Sequence, residues 1–459
     1  MTIWINNPFD FLPGEGARLQ RYGLLCRALA QAGHHVVWWS SDWNHLEKVR
    51  REVKCANAGI GECANAGMRE CANGTPRQGA ADPEIRLIKT LPYFKNVGLR
   101  RLISHWLYAK RWERMAVAES EHPDLILCSA PPLSTGWVMR RLCKRLKCTG
   151  VIDVMDLWPE TFERVAPAWM LWPLRWMAKR VYQGADGISA VGDSYLEVVK
   201  RCLGECGNGT PRQGAAVPGQ CGNAGMRECA NGTPRQGKPM YRCYHGIEMG
   251  GEVLKCESSK VLKLGEKIEA GAPLRLVYVG NMGKGYDLET LVRGVAEMID
   301  EGHAISLDLA GRGEQEKALI AISDRRPDIR FHGVVTGDAL RALLRKADAG
   351  VVPMFANTLV AVPYKLADYA AYGLPMVSSL RGETAQLLDH YGCGWHYEAG
   401  DVASLKQALK EVYELKRDET AAIEARGRNA RRLAEECFDS ERIYPAFVRW
   451  LIESTKWSQ

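Results

Sequence analysis

Lys365 and Asp368 are the pair of residues in this sequence best suited to charged chemistry. They lie in the segment VPYKLADYAAYGLPMVSS, residues 362–379, where an extended stretch leads into a short helix and Gly373 ends that helix before an apolar strand. Side chains three residues apart on a helix project from the same face. An exposed ion pair would have this spacing too, but the position after Pro363 and before a buried strand favours a ligand site.

A second candidate segment is LRLVYVGNMGKGYDLETL, residues 274–291, in which a buried strand runs into a glycine-bearing loop and then a helix. Glycines at such a turn let backbone amides approach a phosphate closely. We therefore predict nucleotide contacts from Gly280, Asn281 and Lys284. For Lys284 the alternative is a solvated loop lysine.

The turn LAGRGEQ repeats this arrangement after the next strand and adds Gly311 and Gly313 to the predicted nucleotide-binding residues. Glu316 occupies the position of the third glycine in a dinucleotide fingerprint, which argues against an NAD site. No cofactor is predicted, and the nucleotide is expected to enter as part of a donor substrate.

The first half of the chain has its own glycine loop, in which Gly14 and Gly16 separate a short apolar strand from a helix and Arg18 follows within one turn. A ligand-binding loop and a plain strand-to-helix turn fit this pattern equally well. We include Gly14, Gly16 and Arg18 among the predicted binding residues.

Two carboxylates are further candidates for catalytic roles. Asp156 lies in DVMDLWPE after a predicted strand, where a carboxylate could orient an acceptor hydroxyl or accept its proton. A capping aspartate before Pro159 is an equally good interpretation. Glu383 begins a predicted helix after Arg381 and is a weaker candidate, for contact with the sugar or the diphosphate. With Lys365, these carboxylates make up the predicted catalytic set.

Strands and helices alternate along both halves of the chain, which predicts an α/β fold with two facing, doubly wound Rossmann-like domains and a cleft between them. In the second half the predicted strands are Leu274–Val279, Ile305–Leu309, Arg330–Gly333, Gly350–Pro353 and Met376–Ser379. Ligands in such sheets bind at the carboxyl ends of the strands. The predicted domains are 1–246 and 247–437, with a helix in 438–459 that returns to the first domain.

Two inserts, 55–80 and 206–237, interrupt the first domain and share the repeat NAGMRECANGTPRQG at residues 65–79 and 223–237. Cys55, Cys63 and Cys71 recur every eight residues, as do Cys221 and Cys229, without CxxC pairs or histidines, so the spacing does not favour a metal site. The composition offers too few large apolar residues for a core. We expect both inserts to lie in surface loops and to contribute nothing to folding.

The composition is that of a soluble globular protein, with 459 residues, 46% hydrophobic residues and a net charge of +7. This modest charge does not favour nucleic acid as a partner. The amino terminus shows no secretion signal and no apolar run reaches the roughly 20 residues of a membrane span. The fifteen cysteines of a chain without a signal then indicate a reducing, cytoplasmic location.

Segments 93–115 and 168–182 mix basic residues with aromatic ones, a composition that suits helices lying on an anionic membrane surface. Ordinary amphipathic helices packed on the sheet are the alternative. The basic residues are Lys95, Arg100, Arg101, Lys110, Arg111, Lys179 and Arg180, and the aromatic ones include Trp106, Tyr108, Trp112, Trp169, Trp172 and Trp176. The prediction is a peripheral protein at the inner face of the plasma membrane.

In order and spacing, PGEGARLQRYG, DVMDLWPETF, YHGIE, VYVGNMGKGYDLETL, LAGRGEQ and VPYKLADYAAYGLPMVSSLRGE resemble the motifs of family 4 glycosyltransferases of the GT-B fold. The resemblance extends over nearly the whole chain apart from the inserts and is strongest to bacterial enzymes that build capsule or O-antigen. It implies transfer of a hexosyl or N-acetylhexosaminyl group, with retained configuration, from a nucleotide-diphosphate sugar to a saccharide acceptor. The predicted membrane surface fits an acceptor that is carried on a polyprenyl diphosphate lipid.

The resemblance also assigns roles. Asp368 matches the second of two family glutamates, which binds the nucleotide ribose, whereas Val360 stands where the first would be. Asn281 stands at a family arginine. Because no Asp-x-Asp triplet occurs, no metal site is predicted, and cations and helix N-termini must stabilise the diphosphate. A GT-B nucleotide-sugar epimerase and a non-catalytic binding protein remain alternatives.

Overall fold

The computed structural model describes residues 1–15, 18–51, 83–94, 98–163, 166–205, 238–249, 273–355 and 358–456. The chain divides into two compact units. Unit 1 holds the described residues up to 205 together with 238–246 and 441–456, and unit 2 holds those from 247 to 440. Both predicted inserts and Gly16 lie outside the described residues.

Unit 1 is built on a parallel sheet whose central strands are buried along their whole length. Its strands are β1 (Thr2–Asn6), β2 (His35–Ser41), β5 (Glu84–Ile88), β6 (Leu125–Ala130), β7 (Thr149–Val154), β8 (Gly187–Ala190) and β9 (Met240–Arg242), and a separate antiparallel pair is formed by β3 (Trp43–Asn44) and β4 (Val49–Arg50). The order is β5-β2-β1-β6-β7-β8-β9. Side chains buried on both faces are typical of a sheet covered by helices on each side.

The helices of unit 1 are α1 (Arg21–Gln31), α2 (Leu99–Ala118), α3 (Leu133–Leu146), α4 (Ala168–Gly184) and α5 (Asp193–Leu203). The C-terminal helix, Ser440–Ser454, also packs here: Tyr444, Phe447 and Trp450 are buried in one core cluster with α1 and β1. The last part of the chain therefore contributes apolar side chains to the unit that contains its beginning.

Unit 2 repeats the parallel plan. Its strands are β10 (Leu274–Val279), β11 (Ile305–Ala310), β12 (Ile329–Gly333), β13 (Ala349–Val352), β14 (Met376–Ser378) and β15 (Gly394–His396), in the order β12-β11-β10-β13-β14-β15. Its helices are α6 (Leu288–Asp300), α7 (Glu316–Ile322), α8 (Gly337–Lys346), α9 (Tyr364–Ala371), α10 (Glu383–Tyr391), α11 (Val402–Asp418) and α12 (Thr420–Cys437). The predicted α/β class with two Rossmann-like units is confirmed.

In the two segments predicted to face a membrane, some aromatic side chains are buried and others are exposed. Tyr108 and Trp112 are buried in unit 1, so their inclusion among interfacial aromatics was wrong: they lie on the face of α2 that packs on the protein. Trp106, Trp169 and Trp172 are exposed, at 55%, 76% and 66% of their surface. Within the described residues, no helix is both long and apolar enough to cross a membrane.

Candidate functional site in unit 2

The glycine loops that follow β10 and β11 lie against each other at the carboxyl edge of the unit 2 sheet. The Gly280 amide donates to the Ala310 carbonyl at 2.9 Å, and the Met282 amide donates to the Arg312 carbonyl at 2.9 Å. These bonds continue the parallel pairing of the two strands beyond their ends. The loops predicted to bind the nucleotide are therefore neighbours.

Gly311 is needed for this close approach. Its φ is +142°, and a Cβ at this position would lie 1.9 Å from the Gly280 carbonyl oxygen. A Cβ on Gly313 would lie 2.4 Å from the Met282 carbonyl oxygen. Packing of one loop on the other therefore explains both glycines, whether or not their amides contact a ligand.

Lys365, at the start of α9, lies beside these loops with only 7% of its surface exposed. Its Nζ lies 4.3 Å from the ring centroid of Tyr278 and 4.0 Å from that of Tyr286. It also donates to Tyr278 Oη at 3.3 Å. A Cβ on Gly280 would lie 3.3 Å from Nζ. Because Gly280 has no side chain, it does not cover the lysine amine.

Burial lowers the pKa of Lys365 to about 7, and the charge of Asp368 acts in the opposite direction. The negative faces of the two tyrosine rings also favour the ammonium form. Near neutral pH this amine can therefore take up or release a proton. An arriving anion would favour the charged form and gain a strong, charge-assisted hydrogen bond.

Tyr369 fixes where α9 meets the sheet. Its hydroxyl accepts a hydrogen bond from the Val279 amide at 2.9 Å, at the end of β10. A Cβ on Gly350 would lie 2.4 Å from the Tyr369 ring, so the ring packs directly on β13. Asp368, half-buried, is the neighbour of this anchor. The tyrosines that position Lys365 were not predicted from the sequence.

Two predicted nucleotide contacts lie further out. Lys284 is 84% exposed at its side chain, and its Nζ lies 3.6 Å from a carboxylate oxygen of Glu314, which is also exposed. Asn281 is exposed, and its carbonyl accepts a hydrogen bond from Tyr278 Oη at 2.5 Å. The structure places Lys284 in a solvated ion pair, whereas Asn281 supports the tyrosine beneath Lys365.

Glu383 is buried and begins α10 directly after Gly382. Its neighbour Thr384 donates from Oγ1 to the Ala361 carbonyl at 2.7 Å. This bond brings the start of α10 next to the segment that leads into Lys365. Glu383 thus belongs to the same region of unit 2 as Lys365 and Asp368.

Asp156 belongs to unit 1, just beyond β7. Burial raises the pKa of its carboxyl, and hydrogen bonds together with the charge of Arg101 partly oppose that rise. Thr161 donates to it at 3.4 Å. A raised pKa suits a group that exchanges protons, but the structure also shows the Asp156–Thr161 contact expected of a local turn.

The Gly14 loop is also in unit 1, with Gly14 at a φ of +87°. Next to it, Glu15 accepts from Arg51 at 3.0 Å, and Arg51 donates to Ser40 at 2.8 Å. Arg18 is exposed. The loop is therefore anchored to β2 by a half-buried ion pair that the sequence did not predict.

A buried ion pair holds α1 to the unit 1 sheet. Arg21 Nε donates to Asp153 at 2.8 Å, and both side chains are fully buried. Tyr22 and Ser189 also donate to the same carboxylate, each at 2.7 Å. Burial alone would raise the pKa of Asp153, but Arg21 and these hydroxyls hold it below its usual value. This network was not predicted either.

No group of three or more His, Cys, Asp or Glu side chains within the described residues is arranged to hold a metal ion. At the unit 2 edge, the Lys365 amine and backbone amides are groups that could stabilise a diphosphate. Asp368 and Glu383 could accept hydrogen bonds from sugar hydroxyls.

Residues 273–414 match the family model described as "Glycosyl transferases group 1". The putative colanic acid biosynthesis glycosyltransferase WcaL of Escherichia coli is 23% identical over 162 residues, which is 34% of this chain and 40% of that protein. The chain thus matches less than half the length of this curated relative. The family model and this relative are both named as glycosyltransferases.

Solved structures resemble the chain over nearly its whole length. Sucrose-phosphate synthase from Thermosynechococcus elongatus superposes with a TM-score of 0.63 at 14% identity, covering 98% of both chains. HepE of Anabaena, solved with UDP and glucose, gives a TM-score of 0.59 at 12% identity over 99% of this chain and 100% of that one. At these identities the likeness shows the fold, which is GT-B.

Proposed function

We propose that this GT-B chain, whose residues 273–414 form a group 1 glycosyltransferase domain, transfers a sugar from a nucleotide-diphosphate donor to a saccharide acceptor in the biosynthesis of a surface polysaccharide. The observation that supports this most is the Lys365 amine, buried between Tyr278 and Tyr286 and bordered by Gly280. Such an amine has the charge and the position to bind a diphosphate at the edge of a parallel sheet.

The proposed chemistry proceeds with retained configuration. As the glycosidic bond to the diphosphate breaks, negative charge grows on the leaving phosphate oxygens, and the Lys365 ammonium stabilises that charge. Asp368 accepts hydrogen bonds from the nucleotide ribose, and Glu383 from the transferred sugar. Asp156 orients the acceptor hydroxyl or accepts its proton. We propose that no metal ion takes part, so activity should withstand a chelator.

The donor test is a panel of nucleotide-diphosphate sugars, beginning with UDP-glucose because the related HepE structure holds UDP and glucose. We expect donor turnover by the wild-type chain and its loss in Asp368→Ala. The matched control is Asp389→Ala, which removes an exposed carboxylate from α10 of the same unit. Full activity of Asp368→Ala would refute the site assignment. An epimeric donor formed without acceptor would identify an epimerase instead, and binding without turnover a non-catalytic protein.

For the acceptor we propose a polyprenyl-diphosphate-linked saccharide at the inner face of the plasma membrane. The supporting surface is the exposed part of α2 and α4, two helices that each pack against α3 and that expose Trp106, Trp169 and Trp172. Lys110 and Arg180 add positive charge on the same helices, each within 6 Å of a tryptophan ring, at 5.8 and 5.6 Å. Aromatic side chains beside cations bind anionic membrane surfaces.

Co-sedimentation with vesicles tests the membrane proposal. We expect the chain to bind phosphatidylglycerol vesicles more strongly than phosphatidylcholine vesicles, and Trp169→Ser with Trp172→Ser to lose most of this binding. Val334→Ser is the control, since Val334 is a 68% exposed apolar side chain in unit 2. Equal sedimentation of all three proteins would rule out this surface.

A further inference from the structure

A second group of charged and aromatic side chains lies in unit 1, at the carboxyl edge of its sheet. Lys48 Nζ lies 3.3 Å from His45 Nδ1 and 5.2 Å from the centroid of the Tyr93 ring. Arg101 lies 5.1 Å from the Trp158 ring and 5.9 Å from the Tyr93 ring. Both cations thus lie over the same aromatic ring, that of Tyr93.

The two cations repel each other at this site. Burial and the charge of Arg101 together lower the pKa of Lys48 to about 8. Burial, Arg101 and Lys48 lower that of His45 to about 3, so this imidazole is neutral. Asp156 is the carboxylate whose charge acts on Arg101. Like charges held close at a protein surface favour the binding of an anion that relieves their repulsion.

His105 supplies a second, independent indication of a ligand. It is only 5% exposed, and its Nε2 accepts a hydrogen bond from Arg101 Nε at 3.4 Å. Burial, Arg101 and His45 lower its pKa well below the usual value, so the ring is neutral and its proton is on Nδ1. That Nδ1 has no hydrogen-bond partner among the described residues. A buried donor without an acceptor is costly unless a ligand satisfies it.

His105 lines a small pocket together with Phe9 and Tyr93. The pocket has room for about one water-sized atom, which corresponds to a single ligand oxygen. The neutral imidazole would donate to that oxygen while Lys48 and Arg101 neutralise the rest of the group. A phosphoryl group, with several acceptor oxygens and up to two negative charges, fits this set better than a carboxylate, which one arginine already satisfies.

We propose that Lys48, Arg101 and His105 form a phosphoryl-binding site in unit 1, separate from the donor residues of unit 2. The site itself is argued from unit 1 alone. Its assignment to the acceptor rests on the proposed function, since the diphosphate of a lipid-linked saccharide is one source of such a group and free phosphate is the other.

Calorimetry on the full chain tests the site, with pyrophosphate as the probe and acetate for comparison. We expect Arg101→Gln and Lys48→Gln each to weaken the pyrophosphate affinity about ten- to a hundredfold. Lys144→Gln, an exposed lysine on α3, is the matched control and should bind as wild type. Lys365→Met should retain this binding event, which separates it from the donor site even if no nucleotide sugar is turned over.

A nuclear magnetic resonance measurement reports on His105 directly. Its ring signals, identified by their loss in His105→Gln, should show a proton on Nδ1 that shifts when pyrophosphate is added. No pyrophosphate binding, binding unaffected by both Arg101→Gln and Lys48→Gln, or equal binding of acetate would overturn the proposal. If Arg101→Gln fails to fold, Lys48→Gln still decides.

The source of the phosphoryl group follows from two further titrations, one with inorganic phosphate and one with a polyprenyl diphosphate in detergent micelles against empty micelles. Tighter binding of the lipid supports the site and identifies the acceptor as the source. Tighter binding of phosphate supports the site and identifies the free ion. Binding of neither overturns the proposal.

Discussion

The carboxyl edges of the two sheets are lined by different types of residue, although both sheets are parallel and doubly wound. In unit 2, glycine loops pack on each other and leave one buried amine, Lys365, between tyrosine rings. In unit 1, aromatic and histidine side chains surround Lys48 and Arg101. The fold sets where ligands bind, and the residues after each strand decide which chemistry is available there.

The largest effect is expected from the buried ion pair of unit 1. Asp153→Asn removes the charge opposite the fully buried Arg21, which should cost roughly 3–5 kcal/mol of unfolding free energy. Glu113→Gln is the control, because it breaks the exposed Arg141–Glu113 pair and should cost about 1 kcal/mol or less. Urea unfolding measures both, and equal losses would contradict a special role for the buried pair.

The stability of unit 2 should depend instead on how closely the glycine loops at its carboxyl edge pack on each other. Gly311→Ala introduces a Cβ 1.9 Å from the Gly280 carbonyl oxygen at a φ of +142°, which should cost roughly 2 kcal/mol or more. Gly285→Ala meets no atom within 4 Å and should lie within about 0.5 kcal/mol of wild type. Thermal unfolding of both variants checks the difference, and a tolerated Gly311→Ala would show that the loops can separate.

Lys365 should make stability depend on pH. Its pKa is about 7 in the folded chain and 10.5 as the reference for the unfolded chain, so between these values the unfolded state binds more protons. Stability should therefore rise as pH increases from 7 to 10.5, by on the order of 1 kcal/mol per pH unit, and the full penalty should be present below pH 7.

Lys365→Met should abolish this dependence and be more stable than wild type at pH 7, because it replaces a buried amine by an apolar side chain. Lys284→Met, at an exposed position, is the matched control and should keep the wild-type profile. Urea midpoints at pH 7 and pH 9 give the comparison. An unchanged pH profile in Lys365→Met would mean that the amine is not the titrating group.

The sheets were predictable because their strands are short, continuous apolar runs bounded by turns. In unit 2 the predicted strands agree with the observed ones to within one residue at each end, as for Leu274–Val279. The short strand β15, with the sequence Gly-Trp-His, was missed because it carries one large apolar residue. Local periodicity indicates strands only where the apolar run is long enough to be distinctive.

The candidate sites were predictable only in part. Lys365 and the glycine loops have local sequence signals, whereas Tyr286 becomes a wall of the lysine site only through tertiary packing. Arg101 was interpreted as part of a membrane face, because helical spacing alone does not say which side of α2 meets the protein. Arg21 and Asp153 are 132 residues apart, and no local pattern links them.

The most direct test of the central claim, that the Lys365 edge of unit 2 binds the donor diphosphate, is calorimetry with the nucleoside diphosphate that most raises the melting temperature in a screen. We predict that Lys365→Met weakens its affinity at least about tenfold, the loss of one charge-assisted hydrogen bond. Lys284→Met should stay within about threefold of wild type, as expected for an exposed lysine. Equal affinities of wild type and Lys365→Met would contradict the account.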